Sequence, residues 1–210
     1  MSLSVLFSRA RSGIDAPLVT VEVHLANGLP SLSTVGLPEM AVKESKDRVR
    51  GALLNSRFDF PARRITINLA PADLPKEGGR FDLPIALGVI FASGSVIPEM
   101  TGDYVVAGEL ALDGRVRPVR GILSAAILAR SRAARGILVP TENASEAAVV
   151  EGLEVIPVSC LTEAVGFLSG QLPLEPVSVE LDEVFSRRSR YDRDFADVRG
   201  QEHVKRALVI

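Results

Sequence analysis

The segment Asp82-Leu-Pro-Ile-Ala-Leu-Gly-Val-Ile-Phe-Ala-Ser93 constrains the fold of this chain more than any other. Asp82 reads as the N-cap of a helix and Pro84 fits its first turn, where the missing amide costs nothing. Beyond it, Leu83, Ile85, Ala86, Leu87, Val89, Ile90 and Phe91 leave no polar face. A surface helix keeps one side for water, so a helix apolar all round must be covered on every side. The chain therefore has to build layers around this helix. With 210 residues, 47% of them hydrophobic, it has the material for such a core.

Those layers are legible on either side of it. Leu18 to Leu25 sets Val19, Val21, Val23 and Leu25 against Thr20, Glu22 and His24, the period of a half-buried strand, with His24 on the solvent side. Asn27-Gly28 signals a tight turn, and Leu29 to Val35 reads as the returning strand of a hairpin. Pro38 opens an amphipathic helix through Val42, Val49 and Leu53, and Arg64 to Leu69 alternates again through Ile65, Ile67 and Leu69. Past the apolar helix, Tyr104–Leu110 and Gly114–Val119 read as strands joined at Asp113-Gly114. Then come a helix from Gly121, strand Ile137–Val139, helix Ala144–Glu151, strand Glu154–Val158 and helix Leu161–Leu168. An antiparallel start and a parallel βα end give an α/β (α+β) chain with a mixed sheet and packed helices.

Several function classes are excluded. Cys160 is the single cysteine, so the chain has no internal disulfide and no cysteine-built zinc site; a small buried hydrophobe is its expected role. His24 and His203, the two histidines, are too far apart in sequence to suggest a metal site. No apolar run reaches the length that spans a bilayer, and the N-terminus lacks the pattern of a signal peptide, so no membrane partner and a cytoplasmic location are expected. Net charge is −2 but unevenly spread. Residues 114–140 hold six arginines and no acid, whereas 141–185 hold nine acids and no Lys or Arg.

The motifs Asn27-Gly-Leu-Pro, Val35-Gly-Leu-Pro-Glu-Met-Ala-Val-Lys-Glu-Ser, Ile67-Asn-Leu-Ala-Pro-Ala-Asp-Leu-Pro-Lys-Glu-Gly, Phe81-Asp-Leu-Pro-Ile-Ala and Asp113-Gly-Arg-Val-Arg-Pro-Val follow in order. Together they resemble the start of the ComM/YifB group of magnesium-chelatase-like AAA+ proteins. The resemblance implies a Lon-protease-like fold over 1–170. A charged connector is expected at 171–194, where Pro173, Pro176 and mixed charge fall. Phe195-Ala-Asp-Val-Arg-Gly-Gln-Glu-His-Val-Lys-Arg-Ala-Leu is similar to the opening of the family's ATPase module, at which the chain is expected to be truncated. ATP and magnesium are implied for that module. No cofactor is expected here, since Gly36–Lys43 has Ala41 and Val42 where a phosphate loop needs its second glycine and the lysine after it.

Lon-type peptidases use a serine nucleophile and a lysine base. Matched to their loops, Arg80 stands at the serine position and Leu123 at the lysine position, so no catalytic residue is expected and the domain reads as a pseudo-peptidase. Gly78-Gly79-Arg80 before a helix suits an anion such as a DNA phosphate; alternatively, Arg80 forms an ion pair with Glu77, Asp82 or Glu109. Arg115, Arg117 and Arg120 fall near one face and suit phosphate tracking, or form an ordinary solvated basic face. The resemblance implies an accessory domain of a hexameric DNA helicase that drives branch migration in natural transformation. Its partners would be DNA and further copies of itself. The alternative is a purely structural interaction domain.

Overall fold

In a computed structural model, residues 3–179 and 197–209 are described. The chain divides into a compact unit at 1–178 and a short second unit at 179–210. The strands of the first are β1 (Leu3–Arg9), β2 (Leu18–Ala26), β3 (Ser31–Val35), β4 (Arg64–Ala70), β5 (Tyr104–Val106), β6 (Glu109–Leu110), β7 (Val116–Arg117), β8 (Gly136–Pro140) and β9 (Glu154–Val158). Seven of them form a mixed sheet of order β3-β4-β2-β1-β5-β8-β9, and β6 pairs with β7 in a separate ribbon. The helices are α1 (Met40–Lys43), α2 (Ser45–Asn55), α3 (Asp82–Ser93), α4 (Ile122–Ser131), α5 (Thr141–Ala147) and α6 (Leu161–Leu168). In the second unit, α7 (Glu202–Val209) carries a Lys205–Glu202 pair at 3.1 Å. No described helix is long and apolar enough to cross a membrane.

Helix α3 is buried from Asp82 to Ala92, as its composition demands. It lies on the sheet face carrying Leu6, Val21 and Val23, and shares one hydrophobic cluster with Val49 and Leu53 of α2 and Leu161 and Leu168 of α6. A Cβ added at Gly88 would come 2.5 Å from Val23 Cγ2, so glycine there sets how closely helix and sheet approach. Strands β5, β8 and β9 are parallel and covered on both faces. Ile137 and Val139 point into a second cluster with Ala125, Ala129 and Ala147 of α4 and α5, while Leu138 joins the α3 side. Fully buried parallel strands read as continuous apolar runs, which Gly136-Ile-Leu-Val-Pro140 is.

The antiparallel half differs from expectation in its order. The 27–30 turn does not close a hairpin: β4 inserts between β2 and β3, antiparallel to the first and parallel to the second. Chemistry explains the choice. Ile65, Ile67 and Leu69 of β4 extend the apolar face of β2, whereas Ser31, Ser33 and Thr34 of β3 suit an edge. On the uncovered face Asn68 donates to Glu22 across the register at 2.7 Å, and His24 is exposed as the alternation implies.

Strand β1, which the sequence reading passed over, lies near the middle of the sheet between β2 and β5. Ser4 and Ser8 flank Leu6 on its inward face and disguise the alternation. The expected strand at 104–110 breaks at Ala107-Gly108, between the end of β5 and the start of the ribbon; a Cβ at Gly108 would meet Val116 Cγ1 at 2.7 Å. Cys160 is half-buried beside the Thr162 hydroxyl at the start of α6, not within the core. Of the connector expected at 171–194, residues from 180 on lie outside those described; before them, the Val177 amide bonds to Val155 O and covers the β9 edge.

Gly88→Val is expected to destabilise the protein by about 1–3 kcal/mol through overpacking. Gly102→Val, where no atom lies within 4 Å of the new Cβ, is expected to cost much less. Urea midpoints compare the two, and equal losses would mean that α3 does not rest on β2 as described.

Candidate functional site

A cleft of about 300 Å³ opens where the loop before α3 meets the segment after β7, floored by Gly78, Gly79 and Arg80 and walled by Glu109, Val119 and Arg120. Local sequence makes each wall. Gly78 takes φ 72°, open to glycine and strained for other residues, and turns the chain into the single 3-10 turn Gly79–Phe81 that leads into α3. Glu109 crosses Gly79 so closely that a Cβ there would lie 2.5 Å from its carboxylate. Gly121, at φ 76°, ends the opposite wall and starts α4. The wall is clamped from α5: Asn143 donates to Val119 O at 3.0 Å and accepts from Val119 N at 2.8 Å, while Glu146 accepts the Leu123 amide at 3.0 Å.

Arg80 holds the cleft together from beneath. It is only 5% exposed, and its guanidinium donates to Arg9 O at 3.0 Å and to Arg120 O. Burial lowers its pKa from the usual arginine value and Arg11 adds to the effect, against the opposite pull of Glu77. An arginine remains charged nonetheless, so the two carbonyls serve as its solvation shell. Neither sequence expectation for Arg80 describes this. It pairs with none of Glu77, Asp82 or Glu109, and its donors face backbone rather than solvent. Each of those acids has another arginine: Arg11 meets Glu77 at 3.4 Å, Arg48 meets Asp82 at 2.7 Å and Arg117 meets Glu109 at 3.7 Å.

Sequence reasoning missed Arg9, the end of β1, which is also buried. Its guanidinium reaches Ala16 O at 3.0 Å and Leu128 O at 2.7 Å, while its own carbonyl receives Arg80. Lys76, wholly buried, donates to Pro71 O; burial lowers its pKa while Asp73 opposes the shift. Nothing local in the sequence separates these inward cations from outward ones, because each is fixed by carbonyls that the fold, not the period, brings to it.

Asp82 is the first residue of α3, not its cap; Phe81 occupies the cap position. Its carboxylate accepts from Arg48 Nε at 2.7 Å and Nη2 at 3.1 Å, and from the Leu110 amide at 3.3 Å. One acid thereby ties together α2, α3 and β6. Burial nevertheless pushes its pKa up to about 6, outweighing Arg48 and the amide.

The remaining predicted residues lie outward. Arg115 is exposed and paired with Asp113 at 2.8 Å; Arg117 is exposed and near Glu109; Arg120 is exposed at the cleft rim. Arg120 lines the cleft, whereas Arg115 and Arg117 sit on and beside the ribbon. Leu123, at the position matched to a lysine, is partly exposed in the first turn of α4. Among the described residues lining this cleft none carries a hydroxyl, thiol or amine. What it presents is guanidinium groups interleaved with two carboxylates.

Residues 21–143 match the family model described as subunit ChlI of Mg-chelatase, more than half of the chain. Over its whole length the chain is 47% identical to competence protein ComM of Haemophilus influenzae and 45% identical to protein YifB of Escherichia coli, covering 41% and 40% of them. It thus spans about two fifths of the length of these curated relatives. A Lon protease of Rhizobium meliloti is 28% identical over 83% of this chain and 23% of its own. That likeness agrees with the mixed α/β architecture.

Because the folded pKa of Asp82 lies above its unfolded value, the native state binds more protons between about pH 4 and 6. The contribution of this carboxyl is therefore complete below pH 4 and is lost as pH rises through 6. Asp82→Asn should cost more stability at pH 4.5 than at pH 7 in urea titrations. A cost that grows with pH would mean that Arg48 outweighs burial. Separately, Arg80→Ala should lose about 1–3 kcal/mol, since two carbonyls lose their donor.

Proposed function

Because the chain belongs to the ComM/YifB group of magnesium-chelatase-like proteins, we propose that it is the non-catalytic, Lon-like region of a hexameric ATP-driven DNA helicase. In this reading the helicase promotes branch migration during natural transformation in the cytoplasm, and this region helps to assemble the ring and contacts DNA. Residues 1–170 form the Lon-like domain, 171–194 a connector, and 195–210 the opening of the AAA+ module that binds ATP and magnesium.

The observation carrying the non-catalytic reading is the position of Arg80. At the place matched to the Lon nucleophile, it donates to the carbonyls of Arg9 and Arg120. A guanidinium offers no lone pair for attack at neutral pH, and Leu123 has no proton-accepting group to activate one. Gly78-Gly79 and α3 persist, so the loop retains a scaffold's role without the reacting groups. Contact with DNA falls to Arg115, Arg117 and Arg120, which are exposed and lie in the arginine-rich stretch.

One observation favours the structural alternative. Asp113 and Glu109 already partner Arg115 and Arg117, which reduces the net positive field there. In that reading the acidic stretch 141–185 of one subunit meets the basic stretch of the next.

Arg115→Glu/Arg117→Glu/Arg120→Glu separates the two when oligomer size and DNA affinity are scored independently in the full-length protein. The DNA reading expects affinity to fall at least about tenfold with oligomer size unchanged. Loss of the oligomer alone favours the scaffold. A serine-reactive fluorophosphonate is expected to leave the chain unlabelled, and covalent labelling would overturn the non-catalytic reading.

A further inference from the structure

A second cleft, about 410 Å³, opens between α2 and the segments flanking β3 and β4. Three stretches distant in sequence form it: Pro30–Leu32, the α2 residues Lys46, Asp47 and Arg50, and residues 60–63. The Ser31 amide bonds to Arg63 O at 3.3 Å and holds two of these stretches together. Across the opening the Arg50 guanidinium lies over the Phe60 ring, 5.1 Å from its centroid.

Charge here is arranged differently from that at the first cleft. Arg11, Arg115, Arg117 and Arg135 each have a carboxylate within ion-pair distance. Lys46, Arg50 and Arg63 line one cleft with Asp47 as its lone acid, and among the described residues none of the three cations has such a partner. Three cations against one carboxylate leave the cleft net positive, and an anion bound there offsets the excess charge. The floor adds a second requirement. Pro30, Leu32, Phe60 and Pro61 are apolar, and Phe60 and Leu32 are half-buried. A small inorganic anion makes no use of such a floor, whereas a nucleotide has both a phosphate and a flat aromatic base.

We propose that this cleft binds single-stranded DNA, one base stacking at the Arg50–Phe60 pair while Lys46 and Arg63 hold the flanking phosphates. Base stacking on an aromatic side chain is sequence-tolerant, and the guanidinium over the ring adds a cation–π partner and a positive charge beside it. The site rests on the reading that the protein acts on DNA and adds a second contact to the one assigned to Arg115, Arg117 and Arg120. It also separates two contributions that a uniform basic face would merge, stacking from Phe60 and counterion release from Lys46 and Arg63.

Fluorescence anisotropy of the whole chain with a fluorescein-labelled oligothymidylate over a salt series tests it. Phe60→Leu should weaken binding by about tenfold and leave the salt slope unchanged. Lys46→Glu/Arg63→Glu should weaken binding and lower the slope by about 0.7 for each phosphate that is no longer neutralised. Photocrosslinking of a 4-thiothymidine oligonucleotide should place adducts at residues 60–63. Unchanged affinity in the Lys46/Arg63 variant, with adducts elsewhere, would overturn this site. If Arg115→Glu/Arg117→Glu alone abolishes binding, the site fails while the DNA reading stands; if the unaltered chain does not bind the oligonucleotide, both fail.

Discussion

Helix α3 has to be dry on every side, and the architecture around it answers that demand. Beneath it are β1 and β2, and α2 and α6 complete the same cluster. Its N-terminus receives a connected set of polar groups. Asp82 draws Arg48 from α2 and the Leu110 amide from the ribbon, and Leu83 donates to Gly108 O at 3.0 Å. Two residues before Asp82, Arg80 draws in the carbonyls of β1 and of the loop before α4. The helix thus fixes both halves of the sheet by its flanks and the cleft by its first turn.

Burying charge to achieve this has a cost, and the distribution of partners shows how it is limited. Arg9, Lys76 and Arg80 are each buried against backbone carbonyls rather than carboxylates. Such contacts solvate a cation without adding a second ion to desolvate. Asp82 is the exception, and its carboxyl correspondingly titrates near pH 6 although Arg48 is bound to it. The same economy shapes the first cleft. With Arg80 turned inward, the rim is left with Arg11, Arg120 and paired acids.

Legibility followed the range of the interactions. Strand β9 and helix α6 were placed to the residue because their apolar periods are local and uninterrupted. Strand β1 was missed because Ser4 and Ser8 point inward beside Leu6, against the polarity rule that identifies a strand. The pairing of β3 went to β4 because hydrogen-bond register selects among all available edges, while a turn motif reports only on its own four residues. The arginines divide in the same way. Those at 115, 117 and 120 are exposed, as a basic face requires, but Arg80 is not one more cation of the same kind.

What the sequence determined by itself was the presence of a fully buried helix after a Gly-Gly-Arg turn and the α/β composition of the layers around it. Each of these depends on residue identity or on periods shorter than a helix. Tertiary structure alone decided that Arg80 lies inward on the carbonyls of Arg9 and Arg120, that Asp82 serves Arg48 rather than a cap, and that Lys46, Arg50, Phe60 and Arg63 share a cleft. Arg80 stands 71 positions from Arg9 and 40 from Arg120, and Asp82 stands 34 from Arg48, so only packing brings these partners within hydrogen-bonding reach.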